Sequence, residues 1–337
     1  MRRATPSPVT DLLSQVSRSF YLSLRVLPRP VRPQIGLAYL LARTTDTIAD
    51  TPLLAPEDRL AALRLLRERI LGSHARPLDF GALAREQGSA GERAILERVE
   101  ESITALNDFT PDDQACVREV LRVISSGQEL DLTRFAGASE QNMVALRTDA
   151  ELDDYTFRVA GCVGEFWTKI CLAHLFPRAP LDETQLVADA VRFGKGLQLV
   201  NILRDIPADL HQGRCYVPAD RLAGAGLKPV DLLSPDTEPR FRALYREYLE
   251  RAREHLEAGW RYTNALPRGQ VRVRLGCAWP ILLGVETLNA LAAGNVLNPQ
   301  HRIKIGRGRV RRIVVGTLVR YPFRRSWERL FRVCTAH

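Results

Sequence analysis

The sequence has few of the groups that usually hold a metal or a disulfide scaffold. Its six cysteines, Cys116, Cys162, Cys171, Cys215, Cys277 and Cys334, are scattered over 337 residues, with no Cys-x-x-Cys pair and no grouping with the six histidines. That excludes the common zinc spacings and a disulfide framework. A Gly-x-Gly-x-x-Gly fingerprint is also missing, so any dinucleotide would bind without a Rossmann domain. The longest apolar region, Gly276 to Gly294, is broken by Pro280 and Glu286, and no membrane-spanning helix is expected. The N-terminal stretch MRRATPSPVTDLLSQVSRSF starts with charge but lacks the continuous apolar run of a secretory signal. With its unpaired cysteines, the chain is expected in a reducing cytoplasm.

What is present is helical patterning. Phe241, Leu244, Tyr245, Tyr248, Leu249, Ala252 and Leu256 recur at steps of three and four, and strand-like alternation is rare. The hydrophobic fraction of 45% and charged fraction of 26% are those of a folded globular chain rather than a disordered one. Proline and glycine clusters at Pro28–Pro33, Pro52, Gly72–Gly91 and Gly224–Pro239 read as loops between helices rather than linkers between domains. One all-α domain is expected, with residues 1–300 as its body and residues 301–337 as a basic segment packed on it or extending from it.

The net charge of +9 is unevenly distributed: residues 301–337 carry eleven Lys/Arg against Glu328 alone, leaving the body close to neutral. In HRIKIGRGRVRRIVVGTLVRYPFRRSWERLFRVCTAH, arginines alternate with Ile, Val, Leu, Phe and Trp. This mixture suits the surface of an anionic membrane, and peripheral contact with the inner face of the cell membrane is one expectation. The charge alone would also suit nucleic acid, although no nucleic-acid partner is expected. A solvated basic helix covering the core is the plainer alternative.

Two helices carry single polar stripes. In Gln34 to Asp50, Tyr39, Arg43, Asp46 and Asp50 recur at steps of four, three and four, hence on one face, while the other positions are largely apolar. From Val187 to Asp209, Gln198, Asn201, Asp205 and Asp209 repeat the arrangement. A helix buried on its other sides must direct such a stripe to water or to a polar cavity. Each pair takes the form Asp-x-x-Ala-Asp near a helix C-terminus, where negative charge opposes the dipole and i,i+4 carboxylates repel. Magnesium is the natural compensating charge, because it takes one or two carboxylates and completes its shell with water and phosphate oxygens. Arg43, Arg204 and Arg214 have the guanidinium geometry to meet those phosphates. A lone Asp-x-x-x-Asp is common on solvated helices; two on apolar helices, each beside arginine, favour a catalytic site. Pro207, between the second pair, is expected to kink that helix and makes the role of Asp209 less direct than that of Asp205.

Four segments resemble the squalene/phytoene synthase family of head-to-head prenyl synthases: Ser17-Arg18-Ser19-Phe20, Tyr39 to Asp50, Tyr155 to Gly164, and Gln198 to Pro218. The last, QLVNILRDIPADLHQGRCYVP, matches every fixed position of the family pattern. The resemblance implies an isoprenoid synthase fold, a single helical domain around a central cavity flanked by the aspartate motifs. It assigns Asp46, Asp50, Asp205 and Asp209 to magnesium, assisted by Asn201 and Gln198. Arg18, Arg43, Arg204 and Arg214 would hold diphosphates, and Ser17, Phe20 and Tyr39 would line the approach to the reaction centre. Tyr155 would assist proton transfer, and the glycine-bearing stretch around Val159 would line substrate, its glycines marking a kink or close approach.

Ala42 to Thr51 looks more like bacterial squalene synthases than phytoene synthases. Lys304-Ile-Gly-Arg307-Gly resembles a stretch that binds NADPH phosphate in eukaryotic squalene synthases, departing at Gly306. The resemblance therefore implies a monomer that converts farnesyl diphosphate to squalene with magnesium and NADPH. Dehydrosqualene, phytoene or presqualene diphosphate synthesis remains the enzymatic alternative. A basic membrane-surface scaffold is the non-enzymatic one, but it leaves both polar stripes unexplained.

Overall fold

Helix boundaries in the computed structural model, which describes residues 8–16, 24, 26–51, 54–300 and 303–335, follow local signals in the chain. Ser17, Arg18 and Phe20 lie outside the described residues. The chain divides into two compact units, Met1–Ala136 with Phe166–Arg178, and Gly137–Glu165 with Ala179–His337. The basic C-terminal segment thus belongs to the second unit.

The first unit holds α1 (Pro8–Val16), α2 (Arg32–Ala49), α3 (Pro56–Leu71), α4 (Gly81–Arg85), α5 (Ala90–Glu97), α6 (Val99–Ala105) and α7 (Pro111–Arg134). Prolines open α2, α3 and α7, where the missing N–H has no helical partner to lose. Thr110 Oγ1 caps α7 by accepting from Asp113 N, and Gly72, at φ +85°, closes α3. Helices α2 and α3 both pack on α7. Leu37, Leu40, Leu41 and Ile48 of α2 are fully buried, each stabilising the fold by roughly 1.5–3 kcal/mol. Beside them the buried Asp113 accepts from Gln34 Nε2 at 3.0 Å and lies 2.8 Å from His174 Nε2. Burial pushes its carboxyl up, but these hydrogen bonds outweigh burial and hold it below its ordinary range.

The second unit contains β1 (Val144–Ala145), α8 (Asp149–Thr156), the start of α9 (Cys162–Leu175), α10 (Glu183–His211), β2 (Arg214–Cys215), α11 (Ala219–Gly224), α12 (Glu238–Ala265), α13 (Val271–Ala293), α14 (Arg307–Arg320), α15 (Arg324–Glu328) and α16 (Leu330–Thr335). The architecture is helical as expected, with β1 and β2 adding one short parallel pair that joins Val144 to Arg214 and Ala145 to Cys215. Two stretches read as loops contain ordered turns: α4 within Gly72–Gly91, and 3₁₀ turns at Pro229–Leu233 and Pro235–Thr237. Side-chain caps stabilise them, including Asp231 Oδ2 on Lys228 N at 2.8 Å.

Long helices α10 and α12 pack along one another, and α13 packs on both. The apolar stretch broken by Pro280 and Glu286 forms part of α13, which begins at Val271 and passes the length and composition test for a membrane span; 61% of its most apolar window is buried. Val273, Ala278, Ile281, Val285 and Leu288 are at most 1% exposed, so α13 serves as a core helix of this unit.

Between α8 and α9 the backbone widens into a π-helical turn, Phe157–Gly161, packed against α10. Of the kink or close approach expected from the glycines, the close approach is present. A Cβ on Gly164 would lie 2.0 Å from the carbonyl oxygen of Ala190, so only glycine permits this contact. Gly164→Ala is expected to lower unfolding free energy by about 1–3 kcal/mol, as overpacking does, measured by urea denaturation.

Candidate active site

The polar stripe of α2 is physically distinct from the rest of that helix. Tyr39, Arg43 and Asp46 are partly exposed and Asp50 is exposed, whereas Leu40, Leu41, Thr44, Thr45, Thr47 and Ile48 are buried. Asp50 caps the C-terminus, its N–H donating to Asp46 O at 2.8 Å, so both carboxylates sit at the negative end of the helix dipole. Asp46 Oδ1 accepts from Gln128 Nε2 of α7 at 2.5 Å. Burial, with the neighbouring Asp50 charge adding to it, raises the Asp46 carboxyl to about 6, against the opposing pull of Gln128 and Arg43. Arg43 in turn pairs with Glu92 at 2.7 Å. Ser89 positions Glu92, since its hydroxyl accepts from Glu92 N and donates to Glu92 Oε2 at 2.9 Å.

The second stripe lies on α10. Asn201 is exposed, and Gln198, Arg204, Asp205 and Asp209 are partly so, while Leu199, Val200, Ile202, Leu203 and Ile206 between them are buried. Arg204 grips Asp205 with two bonds, Nε to Oδ1 at 3.0 Å and Nη2 to Oδ2 at 2.5 Å. Its guanidinium is held above its ordinary range, chiefly by that hydrogen bonding. Pro207 does not end the helix, which runs on to His211. Proline removes the N–H that would have bonded Leu203 O, and the buried Tyr245 hydroxyl donates to that oxygen instead, at 3.1 Å. A proline expected to disturb the second aspartate pair is thereby accommodated, and Asp205 and Asp209 stay on one continuous helix.

Gly213 then turns the chain at φ +75°, its α-carbon so close to Ser139 that a Cβ would meet Ser139 N at 2.3 Å. This hands Arg214 to β2, paired with Val144. Asp209, Arg214 and Tyr216 line one small cleft. The buried Tyr155 stacks on Tyr216 with ring centroids 4.9 Å apart and hydroxyls 3.5 Å apart. Val159 lies in the π turn immediately beyond. A larger cavity of about 470 Å³ is walled by Arg204, Asp205, Asp209, Val296, Asn298 and Ile303. The exposed Lys304 follows Ile303 directly, and the exposed Arg307 opens α14.

Among the described residues no group of three or more His, Cys, Asp or Glu side chains converges. Each stripe supplies only two carboxylates, which does not suit zinc or a calcium cage but fits magnesium, whose remaining positions go to water and phosphate. The raised Asp46 points the same way, because a nearby cation would relieve the repulsion from Asp50. Sequence reading missed Gln128, Glu92, Tyr216 and the wall residues Val296, Asn298 and Ile303. Gln128 and Asp131, three apart on α7, were the available signal for a third polar stripe; Glu92 and the wall offered none, since only folding brings Glu92 to Arg43 and the wall to Asp205.

The family model described as squalene/phytoene synthase matches residues 13–309. A presqualene diphosphate synthase of Rhodopseudomonas palustris is 28% identical over 307 residues, covering 90% of this chain and 94% of its own. A 15-cis-phytoene synthase of Synechocystis is 27% identical, covering 80% of this chain and 70% of its own. A squalene synthase solved with a ligand superposes with TM-score 0.74 at 20% identity, covering 97% of this chain and 96% of that one. The fold is therefore the isoprenoid synthase fold.

The Asp46 carboxyl sets a pH dependence. Its folded pKa lies above the unfolded value, so the folded protein binds the extra proton, and stability falls as pH rises through about 6. In metal-free buffer Asp46→Asn is expected to melt at a higher temperature than the parent above pH 6, and the difference should vanish on acidification below the ordinary aspartate range. Calorimetry across that range checks it.

Proposed function

The chain belongs to the squalene/phytoene synthase family, and we propose that it converts two farnesyl diphosphates to squalene through presqualene diphosphate, using magnesium and NADPH. Head-to-head condensation of prenyl diphosphates is the reaction of the family, and the chain is an enzyme of that prenyl-transferring kind. The observation that supports prenyl diphosphate chemistry is the 470 Å³ cavity, whose wall combines Arg204, Asp205 and Asp209 with apolar Val296 and Ile303. An amphiphile with a diphosphate head and a prenyl tail requires that combination. The resemblance of Ala42 to Thr51 to bacterial squalene synthases favours squalene.

Asp46, Asp50, Asn201, Asp205 and Asp209 would hold magnesium, with Gln198 assisting. Bound there, magnesium supplies positive charge to the departing diphosphate. Arg43, Arg204 and Arg214, with Arg18, bind phosphate oxygens. Arg43 and Arg204 already sit in ion pairs with Glu92 and Asp205, so their guanidinium groups are oriented before substrate arrives and exchange one anionic partner for another. Breaking the carbon–oxygen bond of one farnesyl diphosphate leaves an allylic cation that the double bond of the second captures. Loss of a proton closes the cyclopropane of presqualene diphosphate, and Tyr155, stacked on Tyr216, assists that transfer.

Ser17, Phe20 and Tyr39 would line the entrance to the reaction centre and Val159 the substrate, and such walls keep water from the cation. Loss of the second diphosphate and rearrangement yield a final cation quenched by hydride. Lys304 and Arg307 would hold the NADPH phosphate for this step; both are exposed, and neither pairs with a carboxylate among the described residues. A second reading, in which the reaction stops at presqualene diphosphate, is favoured by the name of the Rhodopseudomonas palustris relative and by Gly306, where the NADPH-binding stretch of eukaryotic squalene synthases carries arginine.

Incubation of purified protein with magnesium and farnesyl or geranylgeranyl diphosphate, with and without NADPH, followed by mass spectrometry of products, tests the proposal. Squalene is expected only with NADPH, and presqualene diphosphate without it. Presqualene diphosphate under both conditions establishes the second reading, and turnover of neither diphosphate overturns both. Chelation should abolish turnover, and Asp46→Ala or Asp205→Ala should lower kcat by about 10²-fold or more, the scale on which lost electrostatic stabilisation acts. Lys304→Ala with Arg307→Ala should raise the KM for NADPH and leave presqualene diphosphate formation intact.

A further inference from the structure

The C-terminal helices present their apolar and charged side chains in an arrangement the condensation reaction does not use. Helix α14 docks on α13 through residues four apart. Arg309 makes two hydrogen bonds to Glu286, at 2.9 and 2.5 Å, Ile313 is buried, and Thr317, fully buried, accepts from Trp279 Nε1 at 2.9 Å. The opposite face should then be polar, yet Val315, Leu318 and Val319 are 50%, 49% and 62% exposed, and Phe323, just past the helix end, is 64% exposed. Of the eight large apolar side chains exposed among the described residues, five lie between Val315 and Val333. Such clustering marks an interaction surface rather than the scattered exposure of an ordinary exterior.

Charge surrounds this patch. Arg311, Arg312, Arg320, Arg325 and Arg329 are exposed, and Arg312, Arg325 and Arg329 pair with no carboxylate among the described residues. Arg312, Arg320 and Arg329 also border a groove of about 450 Å³ whose apolar lining includes Leu282, Ile313 and Leu330. An unpaired guanidinium cluster calls for an anionic partner with multiple acceptor oxygens, and the apolar lining calls for hydrocarbon.

We propose that the α14–α16 face is a membrane-docking surface that seats the phosphate headgroup of an acidic phospholipid among Arg312, Arg320 and Arg329, with Val315, Leu318, Val319 and Phe323 entering the acyl boundary. The complementarity selects this occupant. A second copy of the chain, docked symmetrically, would set arginine against arginine. A nucleic acid would gain nothing from burying valine and leucine, and among the described residues of the patch Phe323 is the one exposed aromatic side chain for a base to stack on. A bilayer satisfies both halves of the face at once.

The test uses the full chain and sedimentation with vesicles of phosphatidylcholine alone or mixed with phosphatidylglycerol. Partitioning onto the mixed vesicles is expected to be about 10²-fold stronger, given the contribution of each arginine near an anionic surface, and to weaken with salt. Arg312→Gln with Arg329→Gln should remove most of that preference. Leu318→Ser with Phe323→Ser should lower partitioning about tenfold at unchanged melting temperature. Phe323→Trp, read by fluorescence, keeps the test independent of variant folding: its emission should shift to the blue with mixed vesicles and stay fixed with soluble glycerol phosphate, which separates a lipid site from a free-phosphate site. Equal partitioning onto both vesicles, a shift with glycerol phosphate alone, or a dimer in solution dissolved by the Leu318→Ser and Phe323→Ser changes would overturn the proposal.

Discussion

Like charges held close together near the negative end of one helix in each unit are the constraint on which the two aspartate stripes depend. Asp46 and Asp50 end α2, and Asp205 and Asp209 lie in the last two turns of α10. At Asp46, burial and the neighbouring Asp50 carboxylate oppose ionisation. The protein's own groups offset this only in part. Gln128 bonds Asp46 and Arg43 lies near it, yet that carboxyl is still raised to about 6. Arg204 engages Asp205 bidentately. The proposed magnesium would relieve this repulsion, because a nearby cation favours the charged carboxylate.

Rigid backbone features keep the carboxylates in place. The Tyr245 hydroxyl replaces the donor that Pro207 lacks, so α10 stays continuous through its aspartate pair. Gly164 and Ala190 bring the π turn region against α10 at a distance no other residue allows, and Gly213 with the β1–β2 pairing sets the position of Arg214. Such preorganisation matters because charges fixed before the reaction need no reorganisation during it.

The helical class and both stripes were legible because period and polarity suffice to define them: the positions at steps of three and four are at least partly exposed, while Leu40, Leu41, Ile48, Leu199, Val200 and Ile202 beside them are buried. The ends of the two stripe helices, read as Gln34 to Asp50 and Val187 to Asp209, fall within a few residues of Arg32–Ala49 and Glu183–His211. How Pro207 is accommodated was not legible, because a missing donor is a local fact, whereas its replacement comes from α12. Glu92 was invisible for the same reason: it reaches Arg43 from 49 positions away. The excess charge of residues 301–337 was countable, but which arginines are neutralised was not; Arg309 is paired with Glu286 and Arg312 is left over.

The sequence by itself determined the helical class, the two Asp-x-x-x-Asp stripes with their arginines, and the family, since each depends on residue type and spacing along the chain. Tertiary structure alone decided the Asp46 environment, the repair at Pro207, the cavity beside Asp205 and the outward turn of Val315, Leu318 and Val319. Each of these depends on which distant side chain arrives at a given point, and packing sets that rather than periodicity.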